Sequence, residues 1–221
     1  MTTAALDGMR TRDWTRRFAE SVYATEAELT ALDQRAGDGD FGTNLAAGVR
    51  AAGLLLDRTD ESAGPAEALG TMATAFLDEI GGTSGPLFGL LFQALSRAAA
   101  DSGPGLTTAA LADGTAQGLA AIRRVGDASP GDKTLVDALA PAAAALRAAE
   151  GAPPATALVM AADGAWRGVR DTASLSARMG RASYLGERAT GIPDPGAVGI
   201  ALFFASAAGT VHSLGPYLAT G

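Results

Sequence analysis

An all-α domain is what this sequence predicts, and three observations predict it. Apolar residues recur at intervals of three, four and seven along almost the whole chain, the signature of one buried face on a 3.6-residue helix. Alternating β-branched runs bounded by turn dipeptides are missing, so no segment reads as a strand. Alanine is abundant, which favours helix and lets helix axes approach closely.

Taken in order, Trp14, Phe18, Val22, Leu29 and Leu32 form the first face, and Leu45, Val49 and Leu56 the second. Leu69, Met72, Ala73, Phe76 and Ile80 make a third. Leu87, Leu91, Ala94, Leu95 and Ala98 make a fourth, which Ser84 opens as an N-cap with Pro86 in the first turn. Leu111 to Ile122, Leu135 to Leu146, Ala155 to Leu175 and Ala197 to Leu214 supply four more. The expectation is about eight helices in a single domain, residues 1–221, with Gly151 to Pro154 a simple connection.

Composition narrows the function classes. The chain has no cysteine, which removes disulfide scaffolds, zinc–thiolate and iron–sulfur centres, and thiol nucleophiles. Its formal charge of -7 opposes a phosphate backbone, so nucleic acid is not an expected partner. Ile200 to Leu218 comes nearest to a membrane span, but it contains Ser206, Gly209, Thr210, His212, Ser213 and Pro216, so a buried helix is expected there. No signal peptide is visible, and the expected setting is cytoplasmic, away from membranes. His212, the only histidine, lies without a nucleophile-elbow sequence and is expected inside or at the end of the last helix.

The breaks between helices are rich in glycine, small donors and carboxylates: 37–42, 81–86, 126–132 and 191–196. Asp33, Asp38 and Asp40 bring three carboxylates into eight residues, and they repel one another unless a cation sits among them. Hard carboxylate oxygens suit Mg²⁺ or Ca²⁺. An EF-hand fails, because Val49 stands where the bidentate glutamate belongs. Two readings are open from spacing: a metal–nucleotide site, and a solvated acidic turn that caps the next helix. Gly37-x-Gly39-x-x-Gly42 matches a dinucleotide fingerprint in letters only, since a helix precedes it and aspartates fill it. Asp40-Phe41-Gly42 spells a kinase metal triplet without the companion motifs. Gly81 to Pro86 opens a helix with Thr83 and Ser84 hydroxyls, an arrangement suited to an anion or to an ordinary capped turn. Arg178, Arg181 and Arg188 suit phosphate oxygens. Asp132 and Asp137 read as caps or arginine partners.

In combination these blocks resemble the DhaL family, the nucleotide-binding subunits of dihydroxyacetone kinases. The pieces that carry the resemblance are Leu32 to Asp40, Gly81 to Gly89, Pro130-Gly131-Asp132-Lys133-Thr134, and Gly180 to Arg188 followed by Asp194-Pro195-Gly196. The resemblance implies a barrel of eight antiparallel helices with the nucleotide site at one end. It implies that Asp33, Asp38 and Asp40 hold two Mg²⁺ ions bridging the phosphates of ADP or ATP. Phe41, Gly42, Thr43, Asn44, Thr83 and Ser84 fall at the phosphates by the same likeness, with Arg181 reaching them as well. Gly126, Leu135, Asp194, Pro195 and Gly196 enclose adenine and ribose. Family members usually carry histidine where this chain has Phe41. A backbone role survives that change, whereas a ring role does not.

The implied activity is phosphoryl transfer to dihydroxyacetone or a related ketose held on a DhaK-type subunit, which is the expected partner. The donor is either free ATP or bound ADP recharged by a DhaM-type phosphotransferase-system protein. No residue of this chain is expected to react covalently. The rival expectation is a non-catalytic, nucleotide-loaded protein that acts on a regulator.

Overall fold

The computed structural model describes residues 5–78, 84–180, 183 and 189–219. Nine helices appear among them: α1 (Gly8–Ala36), α2 (Phe41–Leu56), α3 (Pro65–Asp78), α4 (Ser84–Asp101), α5 (Thr108–Gly126), α6 (Val136–Ala148), α7 (Pro154–Thr172), α8 (Pro195–Ala205) and the single turn α9 (Gly215–Leu218). Each of the first seven packs on the next in sequence, and α8 returns to pack on α1, which closes the barrel. Antiparallel neighbours joined by connections force alternate loops to opposite ends. The ends of α1, α3, α5 and α7 and the starts of α2, α4, α6 and α8 therefore share one end, and the described parts of the four glycine-rich breaks lie there.

The expected core faces are the observed ones. Trp14, Phe18, Val22, Leu29 and Leu32 are all buried on α1, as are Leu45, Val49 and Leu56 on α2. Thr11, Thr15, Ser21 and Thr25 are buried as well, and each hydroxyl bonds a carbonyl three or four residues earlier on its own chain. The α8 helix is apolar all round, and Pro195 through Phe204 are buried without a break. Its 11 residues rise only about 16 Å, well short of a bilayer core. No helix among the described residues is long and apolar enough to cross a membrane.

The last helix ends earlier than its periodicity suggested. It stops at Ala205, where Ser206 turns its hydroxyl onto the Leu202 carbonyl and onto Ser21. His212 consequently lies outside the helix, exposed, in the segment that runs back along α1. Likewise α7 stops at Thr172 and not at Leu175, because the Thr172 backbone and hydroxyl serve other partners described below. Ser84 is the first helical residue of α4 and not its cap. Ile80 and Thr83 lie outside the described residues.

Close packing of α6 on α7 relies on glycine. A Cβ on Gly168 would lie 2.1 Å from the Asp137 carbonyl oxygen, and one on Gly164 would lie 2.8 Å from that of Pro141. Pro141 has no N–H to offer the Asp137 carbonyl four residues back. That carbonyl sits instead against the Gly168 backbone.

Candidate functional site

Asp33 occupies the last turn of α1 and is buried. Its Oδ2 accepts from the backbone N–H groups of Gly39 (2.9 Å) and Phe41 (3.0 Å), which folds the 37–40 turn around the carboxylate. Gly39 takes φ +82°, the left-handed conformation that glycine adopts at no steric cost. The turn brings Asp38 and Asp40 back to Asp33, so that one carboxylate oxygen from each lies within 4.8 Å of the others. Three hard, anionic donors at that separation fit a divalent cation, with room for phosphate or water oxygens to complete the shell.

Above this triad opens a cavity of ≈ 480 Å³. Its lining combines Asp33, Asp38, Asp40 and Asn44 with apolar residues that include Leu87, Ile122, Val125, Leu135 and Met179. Four helices (α2, α4, α6 and α8) begin at this end, and residues of all four first turns line the cavity. First-turn amides of a helix attract anions. One mouth thus offers carboxylates for a cation, helix starts for an anion and an apolar slot for a flat ring.

Phe41 lines the cavity, and its ring leans on Phe88 with centroids 6.3 Å apart. It is the first of a row of aromatic contacts that continues through Phe88, Phe92 and Phe203 to Trp14. Its backbone N–H orients Asp33. Gly42 faces α1 instead, where a Cβ would lie 2.4 Å from Thr30 Oγ1. Thr43 is exposed on α2, outside the cavity lining. Asn44, Ser84, Gly126, Leu135, Asp194, Pro195 and Gly196 all line the cavity. Thr83, Arg181 and Arg188 lie outside the described residues. Arg178 reaches Asp132 at 3.5 Å from an exposed position.

Asp194 caps α8 through an Oδ2 bond from Ala197 N–H, 2.7 Å. Burial pushes its carboxyl up to about 7; the Ala197 bond and Lys133 oppose the rise, and Asp137 and Asp33 add to it. Lys133, the chain's single lysine, is only 1% exposed and lines the same cavity. Burial lowers its affinity for a proton, against the pull of Asp194 and Asp137. Sequence reasoning quoted Lys133 within a motif and gave it no role. The signal was there: a lone lysine between aspartate and threonine, just ahead of a buried helix. Asp132 and Asp137 brace the loop before α6 and do not cap a helix: Asp132 accepts from Ser129 N–H and pairs with Arg178, the partner type expected, and Asp137 accepts from Gly131 and Thr134 N–H.

Comparison with known proteins bears on this geometry. The DAK2 domain model matches residues 35–209. This chain belongs to the DAK2 domain family. The resemblance to DhaL subunits holds: over 194 residues it is 34% identical to the ADP-binding subunit DhaL of a PTS-dependent dihydroxyacetone kinase from Lactococcus lactis, covering 88% of this chain and 93% of that protein. It is 40% identical over 186 residues to an L-erythrulose 1-kinase of Mycolicibacterium smegmatis, covering 84% of this chain but 32% of that one. The crystal structure of the dihydroxyacetone kinase from C. freundii in complex with AMP-PNP and Mg²⁺ superposes with a TM-score of 0.68 at 28% identity, over 92% of this chain and 34% of that one. This DAK2 chain therefore spans about a third of the long kinases it matches and nearly the whole of the L. lactis subunit.

Proposed function

We propose that this chain is a DhaL-type phosphotransferase unit, residues 1–221, that holds Mg²⁺ with ADP or ATP at the open end of its barrel. It passes the phosphoryl group to dihydroxyacetone or a related ketose presented by a DhaK-type unit. The observation that carries this reading is the Asp33–Asp38–Asp40 triad lining a cavity that is otherwise largely apolar. Asp33, Asp38 and Asp40 would hold the two Mg²⁺ ions, which would supply charge neutralisation for the phosphoryl group.

The chain's own residues position the nucleotide. Asp33 is fixed by two backbone N–H bonds, so its carboxylate is preorganised and does not reorient on binding. Asn44 and Ser84 offer side-chain donors to phosphate oxygens, and Thr83 and Arg181 complete that set by family likeness. Gly126, Leu135 and the Asp194-Pro195-Gly196 turn enclose the base. Phe41 acts through its N–H, with its ring packed on Phe88.

The test is direct. Mixing the protein with Mg·ATP, a DhaK-type ketose-binding subunit and dihydroxyacetone should yield the sugar phosphate. A parallel reaction with ADP and a DhaM-type phosphodonor distinguishes the two donor routes. Tight nucleotide binding with no transfer to any ketose from either donor would contradict the kinase reading and favour a nucleotide-loaded interaction protein.

A further inference from the structure

The cavity lining includes two stretches distant in sequence, Lys133 to Val136 and Asp194 to Gly196, and one side chain joins the segments that carry them. Lys133 Nζ donates to the Thr172 carbonyl (2.6 Å) and to the Ile192 carbonyl (2.7 Å). Thr172 ends α7, so its carbonyl has no helical partner of its own. Thr172 Oγ1 in turn accepts from Asp194 N–H at 2.9 Å, and Asp194 caps α8. The chain of bonds runs from the lysine to the turn that carries Pro195 and Gly196. On the near side, Asp137 gathers the Gly131 and Thr134 N–H groups and so shapes the loop from which Lys133 projects.

Lys133 itself has φ +61°, a left-handed conformation that costs a non-glycine residue roughly 1 kcal/mol or more. That backbone is held where it is by the contacts of the inward-pointing ammonium. Removing the ammonium leaves the Ile192 carbonyl without its donor and the Thr172 carbonyl with only the Leu175 N–H at 3.2 Å, and the lost bonds are replaced only if the segments part and admit water.

We infer that Lys133 is a positioning residue for the nucleotide: it ties the 130–135 loop to the end of α7 and to the 189–196 segment, and thereby sets the wall against which the base and ribose lie. The inference rests on the proposed nucleotide site, and it separates the two halves of that site. The metal half is assigned to Asp33, Asp38 and Asp40, whereas the Lys133 ammonium donates to the Thr172 and Ile192 carbonyls. The base half depends on the tether.

Lys133→Met keeps the length of the side chain and removes the donors. Calorimetric titration of the variant with Mn²⁺ alone should match the wild type within about twofold, whereas Mg·ADP should bind about tenfold more weakly. Unchanged Mg·ADP affinity overturns the inference, and so does an equal loss for Mn²⁺ and Mg·ADP, which marks general damage. A wild type that binds no Mg·ADP overturns the nucleotide site itself, and this inference with it. Should the variant fail to fold, the wild type carries the test alone, because Lys133 holds the chain's only ε-amine. An amine-reactive reagent can reach it only when both carbonyl bonds open. Mg·ADP, but not Mg²⁺ alone, should slow labelling of Lys133 by about tenfold, read by peptide mass mapping. Equal labelling rates with and without bound Mg·ADP would overturn the tether.

Discussion

Both ends of the barrel bury a cation against main-chain carbonyls, Arg12 at one and Lys133 at the other. Arg12 gives its guanidinium to the Leu56 and Asp60 carbonyls and to Thr59 Oγ1, which fastens the α2–α3 connection over the start of α1. The rest of that end is sealed in the same way. Leu6 and Leu106 exchange a pair of backbone bonds, Thr108 Oγ1 bonds the Ala152 carbonyl, and Ser96 bonds that of Ala66. At the other end Lys133 ties connections together just as firmly, but they surround a cavity with Asp33, Asp38, Asp40 and Asp194 facing it. The same fastening therefore makes a seal at one end and a rim at the other. What differs is the neighbours: at the rim one carboxylate oxygen from each of Asp33, Asp38 and Asp40 lies within 4.8 Å of the others, and such proximity of like charge is tolerated at sites of function.

If that contrast is right, substitutions at the rim cost binding and substitutions at the seal cost stability. The largest effect is expected for Asp38→Asn, which should weaken nucleotide binding by on the order of a hundredfold in Mg²⁺ and far less in EDTA. Calorimetry in both buffers reads this, and equal losses would argue against metal ligation. Next comes Arg12→Met, which should lower unfolding free energy by about 2 kcal/mol, because two carbonyls and a hydroxyl lose a buried donor. Mg·ADP affinity measured on the same folded variant should not move; a matching loss of affinity would erase the distinction between the two ends.

A smaller effect concerns pH. The Asp194 carboxyl is raised from 3.8 to about 7 in the fold, so the folded chain keeps a proton that the unfolded chain releases. The resulting stability is fully present below pH ~4 and is lost as pH rises through ~7. Asp194→Asn keeps an oxygen for the α8 cap and should flatten that slope in metal-free melting curves; identical slopes would refute the assignment. Smallest of all, Arg16→Ala removes an exposed pair with Asp57 at 3.4 Å and should change stability by less than about 0.5 kcal/mol in chemical denaturation.

Much of this was legible in the sequence. The helical faces and the four glycine-rich breaks were readable because burial imposes a 3.6-residue period and because glycine and aspartate mark turns. The triad was readable because its members lie within eight residues, so one local turn unites them. Lys133 was not readable as a tether, since its acceptors are main-chain carbonyls 39 and 59 residues away, and backbone acceptors leave no mark in composition. The early ends of α7 and α8 escaped for a related reason: the apolar period continues past Thr172 and Ala205, while hydroxyl and carbonyl bonds to distant segments stop the helices. Gly42, expected at the phosphates, also makes a close contact between α2 and α1, where a Cβ would meet Thr30. Spacing could not separate the two roles, because both require a missing Cβ.

The central claim is that Asp33, Asp38 and Asp40 together grip divalent metal that docks a nucleotide in the cavity above them. Crystals grown with Mn²⁺ and ADP, measured at a wavelength where manganese scatters anomalously, test it most directly. The account predicts anomalous peaks about 2.2 Å from those three carboxylates, with phosphate oxygens on the same ions and the base against Leu135 and Gly196. Manganese bound elsewhere, or ADP seated away from the triad, would contradict it.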